Sequence, residues 1–206
     1  MAKRRPFKNL PYILNFDTRC NQRCLFCMKR EDIAGKRPVT FKTITEEIEK
    51  AKGEGYTTLD FYGGEPLVYP FITQALVMAH FLGFSCYLAT NATKLASQKF
   101  ADDFFSKVRL KEIRTSLHSH RGDLHDAITQ RKGSFKKTMR GIFRILQRKN
   151  IRLTVNTVIT SLNYRHLGAI VDFLSGAGVK NISFSGLIAS GGALRHPELA
   201  IGFKHL

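Results

Sequence analysis

The chain has 206 residues, 43% of them hydrophobic, enough for one domain with a real core. No run approaches the roughly 18 consecutive apolar residues of a membrane span, and the basic start Met1-Ala2-Lys3-Arg4-Arg5-Pro6 lacks an apolar signal core, so no membrane role and a cytoplasmic location are expected. Four cysteines suit a reducing compartment rather than a disulfide scaffold, while the net charge of +17 reads either as affinity for an acidic partner or as a solvated basic surface; the spread of Lys and Arg and the lack of a nucleic-acid motif favour the second.

Residues 1–9 read as a basic tail and 10–206 as a single domain. The first strand is expected over Tyr12–Phe16, followed by a loop carrying Cys20, Cys24 and Cys27. Thr43-Ile44-Thr45-Glu46 reads as a capping box, and Ile44, Ile48 and Ala51 recur at helical spacing until Gly53 and Gly55 end the helix. Strand two, Thr57–Phe61, delivers Gly63-Gly64-Glu65-Pro66 at its C-terminal end. A helix over Phe71–Leu82 stops at Gly83, and strand three, Phe84–Ala89, ends at Thr90-Asn91. Cys86 lies in that apolar run and is expected to be a buried thiol. A weaker helix over Lys94–Ser106 precedes strand four, Glu112–Leu117. A long basic amphipathic helix is expected over Ser134–Lys149, with Phe135, Met139, Ile142, Phe143 and Leu146 on its core stripe. Strand five covers Ile151–Ile159, a helix covers Tyr164–Leu174, and Asn181–Phe184 is strand six. Six strand-then-helix units imply an α/β fold with a parallel sheet and right-handed crossovers.

The Cys-x3-Cys-x2-Cys triplet carries the chemistry. Three thiolates can hold three irons of a [4Fe–4S] cluster, leaving the fourth iron open for a non-protein ligand. Two alternatives stand beside this: a zinc site completed by a distant His, and three unrelated thiols. The stretch Cys20-Asn21-Gln22-Arg23-Cys24-Leu25-Phe26-Cys27, with an aromatic before its third Cys, resembles the cluster loop of the radical S-adenosylmethionine (SAM) enzymes. Gly63-Gly64-Glu65-Pro66, about 36 residues later, resembles that family's second hallmark, and the resemblance runs over about Leu10–Gly192.

The resemblance implies an open, partial (β/α)6 barrel, TIM-like, with its chemistry at the C-terminal ends of the strands. It implies a [4Fe–4S] cluster on Cys20, Cys24 and Cys27, and SAM chelating the open iron. Gly63, Gly64, Glu65 and Pro66 would position SAM through their backbone. Reduced by an external one-electron donor, such a cluster splits SAM into methionine and a 5′-deoxyadenosyl radical that takes hydrogen from a substrate; the hard chemistry belongs to the cofactors.

Other candidates follow the strand ends. Asn91, in Thr90-Asn91-Ala92-Thr93, is placed near SAM or substrate, or is a plain turn Asn. Ser116, before Leu117 and His118, is expected to contact SAM, and His118 faces substrate or makes a plain polar contact. Asn156, a polar residue within strand five, reaches SAM or substrate if it points into the barrel. The loop from Gly186 to Gly192 lets backbone approach the adenine, or is simply flexible. His125-Asp126 matches a stretch that in relatives leads to a basic residue pairing the SAM carboxylate; here Thr129 stands at that place, with Arg131 or Lys132 as substitutes.

The leading reading is a radical SAM enzyme acting on a peptide or protein. An RNA-modifying enzyme is the alternative inside that class; a non-catalytic metal-binding module, or a truncated core with a partner chain over the open barrel, is the alternative outside it.

Overall fold

Alternation of short β-branched or aromatic runs with amphipathic ones builds six strands, each followed by helix. The computed structural model describes residues 10–16, 19–28 and 39–202; the basic tail expected over 1–9 lies outside them. The strands are β1 (Tyr12–Asn15), β2 (Thr58–Tyr62), β3 (Ser85–Ala89), β4 (Glu112–Ser116), β5 (Arg152–Val158) and β6 (Asn181–Ser185). They pair in chain order, β1 to β6, every neighbouring pair parallel. β1 and β6 do not pair with each other, so the barrel is open, as expected.

The pleat sorts the residues into two faces. Leu14, Leu59, Phe61, Cys86, Leu88, Ile113 and Val155 point outward into the main core, under the helices. Full burial of one such side chain stabilises by about 1.5–3 kcal/mol. The registers Asp60↔Tyr87, Ala89↔Arg114↔Thr154 and Ser116↔Asn156↔Ser183 put polar residues on the other, concave face. Asp60 there binds Arg114 from two strands away, and Glu112 accepts from Arg152 and from Thr154 Oγ1.

Helix α1 (Phe41–Gly53) begins earlier than the sequence pattern predicts. Its N-cap is Thr40, whose hydroxyl accepts from Thr43 N at 3.2 Å while Thr43 Oγ1 accepts from Thr40 N at 2.9 Å. The capping box is therefore Thr40–Thr43, with Thr replacing the usual Glu at its far end, rather than Thr43–Glu46. Helix α2 is Ile72–Phe81. The helix expected from Lys94 is two pieces, a 3-10 turn over Thr93–Ala96 and α3 (Gln98–Lys107), because Ser97 is extended and caps α3 by accepting from Phe100 N.

A helix the pattern missed, α4 (Gly122–Thr129), follows β4. Its apolar stripe is short, and His125 and Thr129 occupy buried positions where hydrophobic residues would have signalled it. Asp126 joins it to α5 (Ser134–Leu146), its carboxylate accepting from Gly133 N, Phe135 N and Ser134 Oγ. α5 ends three residues before Lys149. A 3-10 turn (Tyr164–His166) leads into α6 (Leu167–Gly176), and a short α7 (Gly192–Arg195) follows β6.

Candidate active site

The cysteine loop is anchored on three sides, although it has almost no regular structure. Arg23 N and Leu25 N donate to the carbonyls of Thr129 and Ile128 at the C-terminal end of α4, at 2.9 and 3.0 Å. Asn21 Nδ2 donates to Thr93 Oγ1 at 2.8 Å, and Asn91 Nδ2 donates to Asn21 Oδ1 at 2.7 Å. On the third side, Gly192 N donates to Cys27 O at 2.9 Å. Gly191 and Gly192 press so closely that a Cβ on them would sit 2.4 Å from Met28 O and 2.3 Å from Leu25 O. The loop after β6 thus clamps the cysteine loop. The repeated Gly in Ser190-Gly191-Gly192 was the available signal, since paired glycines mark close backbone approach as well as turns.

Two N–H groups already point at one sulfur: Cys20 Sγ accepts from Gln22 N at 3.4 Å and Asn91 Nδ2 at 3.7 Å. Surrounding protein pushes the Cys20 thiol up to about 11 by desolvation, although the residue as a whole is exposed. The edge of Phe26 packs against the ring of His118, centroids 4.9 Å apart.

Gly63 and Gly64 face the same space. Gly63 has φ +151°, and a Cβ there would lie 2.3 Å from Phe16 O, so only glycine fits. Glu65 turns the other way, 1% exposed beneath the site. Its carboxylate accepts from Thr90 Oγ1 and Asn91 N, both at 2.6 Å, and from Leu67 N at 3.0 Å. Glu65 N donates to Arg19 O at 2.9 Å, tying the motif to the segment before Cys20. Burial pushes Glu65 up to about 7, against the three hydrogen bonds, which pull it down. Pro66 opens a buried 3-10 turn. Neither Glu65 nor Pro66 lines the cavity, so of the four residues the two glycines alone are placed to touch a ligand there.

That cavity, about 510 Å³, opens at the C-terminal ends of the strands and is lined by all three cysteines together with Gly63, Gly64, Asn91, Ser116, His118, Asn156 and Gly186. Asn156 belongs to a polar ladder: its Nδ2 donates to Ser185 Oγ at 3.0 Å and its Oδ1 accepts from Ser183 Oγ at 3.1 Å. His118 is 3% exposed, and burial with His125 alongside pushes it down to about 3. The rings stack at 5.7 Å, His125 Nδ1 accepts from His118 N at 3.2 Å, and His118 Nδ1 has no partner. Arg114 is the one Lys or Arg among the lining residues, and Asp60 holds it. Thr129 is buried and bonded to Ser134 Oγ at 2.7 Å, while Arg131 and Lys132 are exposed; none of the three lines the cavity.

Comparison with known proteins places this arrangement. The model of the radical SAM superfamily matches residues 14–174. The chain belongs to that superfamily. Radical SAM proteins are enzymes, and their chemistry depends on SAM. Similar curated proteins include an S-adenosylmethionine-dependent nucleotide dehydratase of Flammeovirga pacifica, 25% identical over 155 residues, covering 70% of this chain and 51% of that protein. A GTP 3′,8-cyclase of Clostridium botulinum (strain Hall) is 27% identical over 144 residues, covering 68% and 44%. Among solved structures, SuiB of Streptococcus suis bound to precursor peptide SuiA superposes with a TM-score of 0.72 at 18% identity, covering 94% of this chain and 43% of that one. A structure of anSMEcpe with bound AdoMet gives 0.69 at 17% identity, covering 85% and 51%. These structural likenesses establish the fold. The chain spans about half or less of the length of these relatives.

The residues fit the family's cluster. Three thiols line one wall of a cavity, with N–H donors already aimed at Cys20. Among the described residues no three His, Cys, Asp or Glu side chains converge tightly enough to hold a single metal ion, so the zinc alternative finds no His to complete it. No described helix is long and apolar enough to cross a membrane.

Proposed function

We propose that this chain binds a [4Fe–4S] cluster through Cys20, Cys24 and Cys27, cleaves SAM reductively in the adjoining cavity, and directs the resulting radical at a peptide or protein. The observation that carries this reading is the convergence of the three cysteines, Gly63, Gly64, Asn91, Ser116 and Asn156, from separate strand ends, on one cavity. When bound and reduced by an external donor, the cluster supplies one electron to the sulfonium of SAM, releasing methionine and a 5′-deoxyadenosyl radical.

The chain's own residues hold and orient. Gly63 and Gly64 bare their backbone to the SAM amino and carboxylate end, and Glu65 fixes that backbone from below. Asn91 spans the cysteine loop and the cavity. Ser116 and Asn156 offer hydroxyl and amide groups to the ribose and carboxylate. The mouth carries Met28, Tyr62, Leu187 and Ile188, apolar surface suited to a peptide. A polyphosphate or RNA backbone would find no unpaired cation in the lining, since Arg114 is bound to Asp60.

Anaerobic reconstitution should give about four irons per chain and a dithionite-reduced EPR signal that changes on adding SAM. Cys24→Ala should abolish 5′-deoxyadenosine production; retained production would sink the ligand assignment. Deuterium transfer from a labelled nucleotide, rather than from a labelled peptide, into 5′-deoxyadenosine would overturn the substrate class.

A further inference from the structure

We propose that the outer wall of the cysteine loop is a docking surface for a small acidic protein that carries one electron at a time. The proposal rests on the cluster reading above. Its structural basis is the distribution of unpaired charge. Arg23 sits between two of the thiols yet does not line the cavity, so its side chain lies on the loop's far side. The segments that hold the loop from behind add Lys94, Arg131, Lys132 and Lys137, all exposed. They are contiguous: Arg23 N bonds the C-terminal end of α4, Arg131 and Lys132 follow it, Asn21 bonds Thr93 beside Lys94, and Thr138 Oγ1 beside Lys137 donates to Asn91 O at 3.0 Å.

None of the five forms an ion pair among the described residues. The nearby acids are committed elsewhere. Asp126 caps α5, Asp123 pairs with Arg121, Asp102 pairs with Arg148, and Glu65 is buried. The patch is therefore an uncompensated concentration of the chain's +17 charge. Such a field steers an acidic partner and fixes its orientation more than it adds affinity.

Position selects the partner. A substrate must enter the cavity, whose lining offers no unpaired cation. An electron carrier need only approach from outside, and docking here leaves one loop between its redox centre and the cluster. In the transfer the donor's reduced flavin loses one electron and the cluster gains it; no bond forms or breaks.

The test uses the anaerobically reconstituted full chain and flavodoxin as the acidic probe, with the triple variant Lys94→Glu, Lys132→Glu, Lys137→Glu and its all-Gln counterpart. Binding of oxidised flavodoxin, followed by flavin fluorescence, should weaken with added salt. It should weaken by about ten-fold or more in the Glu variant and by less in the Gln variant. Flavodoxin-driven 5′-deoxyadenosine formation should fall in step, while dithionite-driven formation, which needs no docking, stays at the wild-type rate. Unchanged flavodoxin affinity in a folded Glu variant would overturn the proposal. So would loss of tRNA binding with flavodoxin binding intact, which would assign the patch to RNA. Failure of dithionite-driven cleavage in the wild type would instead strike the cluster reading, and the binding measurement would still judge the surface.

Discussion

Glu65 is the residue whose role changes most between sequence and structure. The motif invites a direct contact with SAM, but the side chain is a brace beneath the two glycines that face the cavity. Glu65→Gln keeps the shape and replaces one acceptor oxygen with an NH2 group, which must then face a donor, Asn91 N or Leu67 N. Leaving such a buried donor unsatisfied should cost about 1–3 kcal/mol, read from urea unfolding at neutral pH. A change within error would mean the brace is dispensable. The stacked His118–His125 pair titrates in the opposite sense to Glu65. Burial holds the two imidazoles down to about 3 and about 4, below the ordinary 6.5. Below pH 6.5 the unfolded chain therefore takes up protons that the folded chain refuses. The stability that the neutral pair contributes is complete above pH 6.5 and is lost as pH falls toward the folded values. Each histidine contributes a slope of about 1.4 kcal/mol per pH unit in that window. Glu65, raised from 4.5 to about 7, contributes stability present below pH 4.5 and lost as pH rises to 7, so it offsets one histidine between those limits. Unfolding of wild type and His125→Gln between pH 4.5 and 7.5 should show the variant losing less stability on acidification. Parallel curves would refute the neutral-pair assignment.

At the scale of elements, the clamp formed by the loop after β6 makes the firmest claim. Gly192→Ala places a Cβ against the Leu25 carbonyl, which is backbone and cannot swing aside, so the cysteine loop must shift. Reconstituted Gly192→Ala should hold less iron per chain than wild type and give a weakened SAM-dependent EPR change, with its far-ultraviolet circular dichroism preserved. Full iron loading would show that the loop tolerates the displacement. The strands were legible because β-branched runs between glycines have few other options, and each lies within a residue or two of its expected place. The cysteines and Gly63-Gly64 were legible because their types and spacing are specific. What escaped was set by contacts between distant segments. α4 hid behind a buried His and Thr, the α1 cap used Thr where Glu is usual, and Ser97 broke a helix whose periodicity runs on. The brace under the glycines and the clamp on the cysteine loop join residues 26 and about 165 positions apart, beyond any local pattern.

Over the whole molecule, net charge decides how stability answers to salt. The described surface ion pairs, such as Lys42–Glu46, Lys107–Asp103 and Arg121–Asp123, each stabilise by about 1 kcal/mol at most, and screening them loses little. Asp60 and Glu112, buried on the concave face, keep more of their pairing with Arg114 and Arg152 because such pairs are screened less. Against these stands the mutual repulsion of a chain with 33 basic and 16 acidic residues, which compaction worsens and salt relieves. The repulsion is the larger effect, since cations outnumber anions two to one. Raising NaCl from about 20 mM to about 500 mM, where the Debye length shrinks from about 20 Å to about 4 Å, should therefore raise the thermal midpoint. A gain of about 1 kcal/mol corresponds to about 2–4 °C for a chain of this size. The same salt should weaken an acidic carrier's hold on the patch behind the cysteine loop, so stability and partner affinity should move in opposite directions. A midpoint that falls with salt would mean that ion pairs, rather than repulsion, dominate the surface, and that the basic residues are compensated in solution. That outcome would remove the charge complementarity on which docking depends.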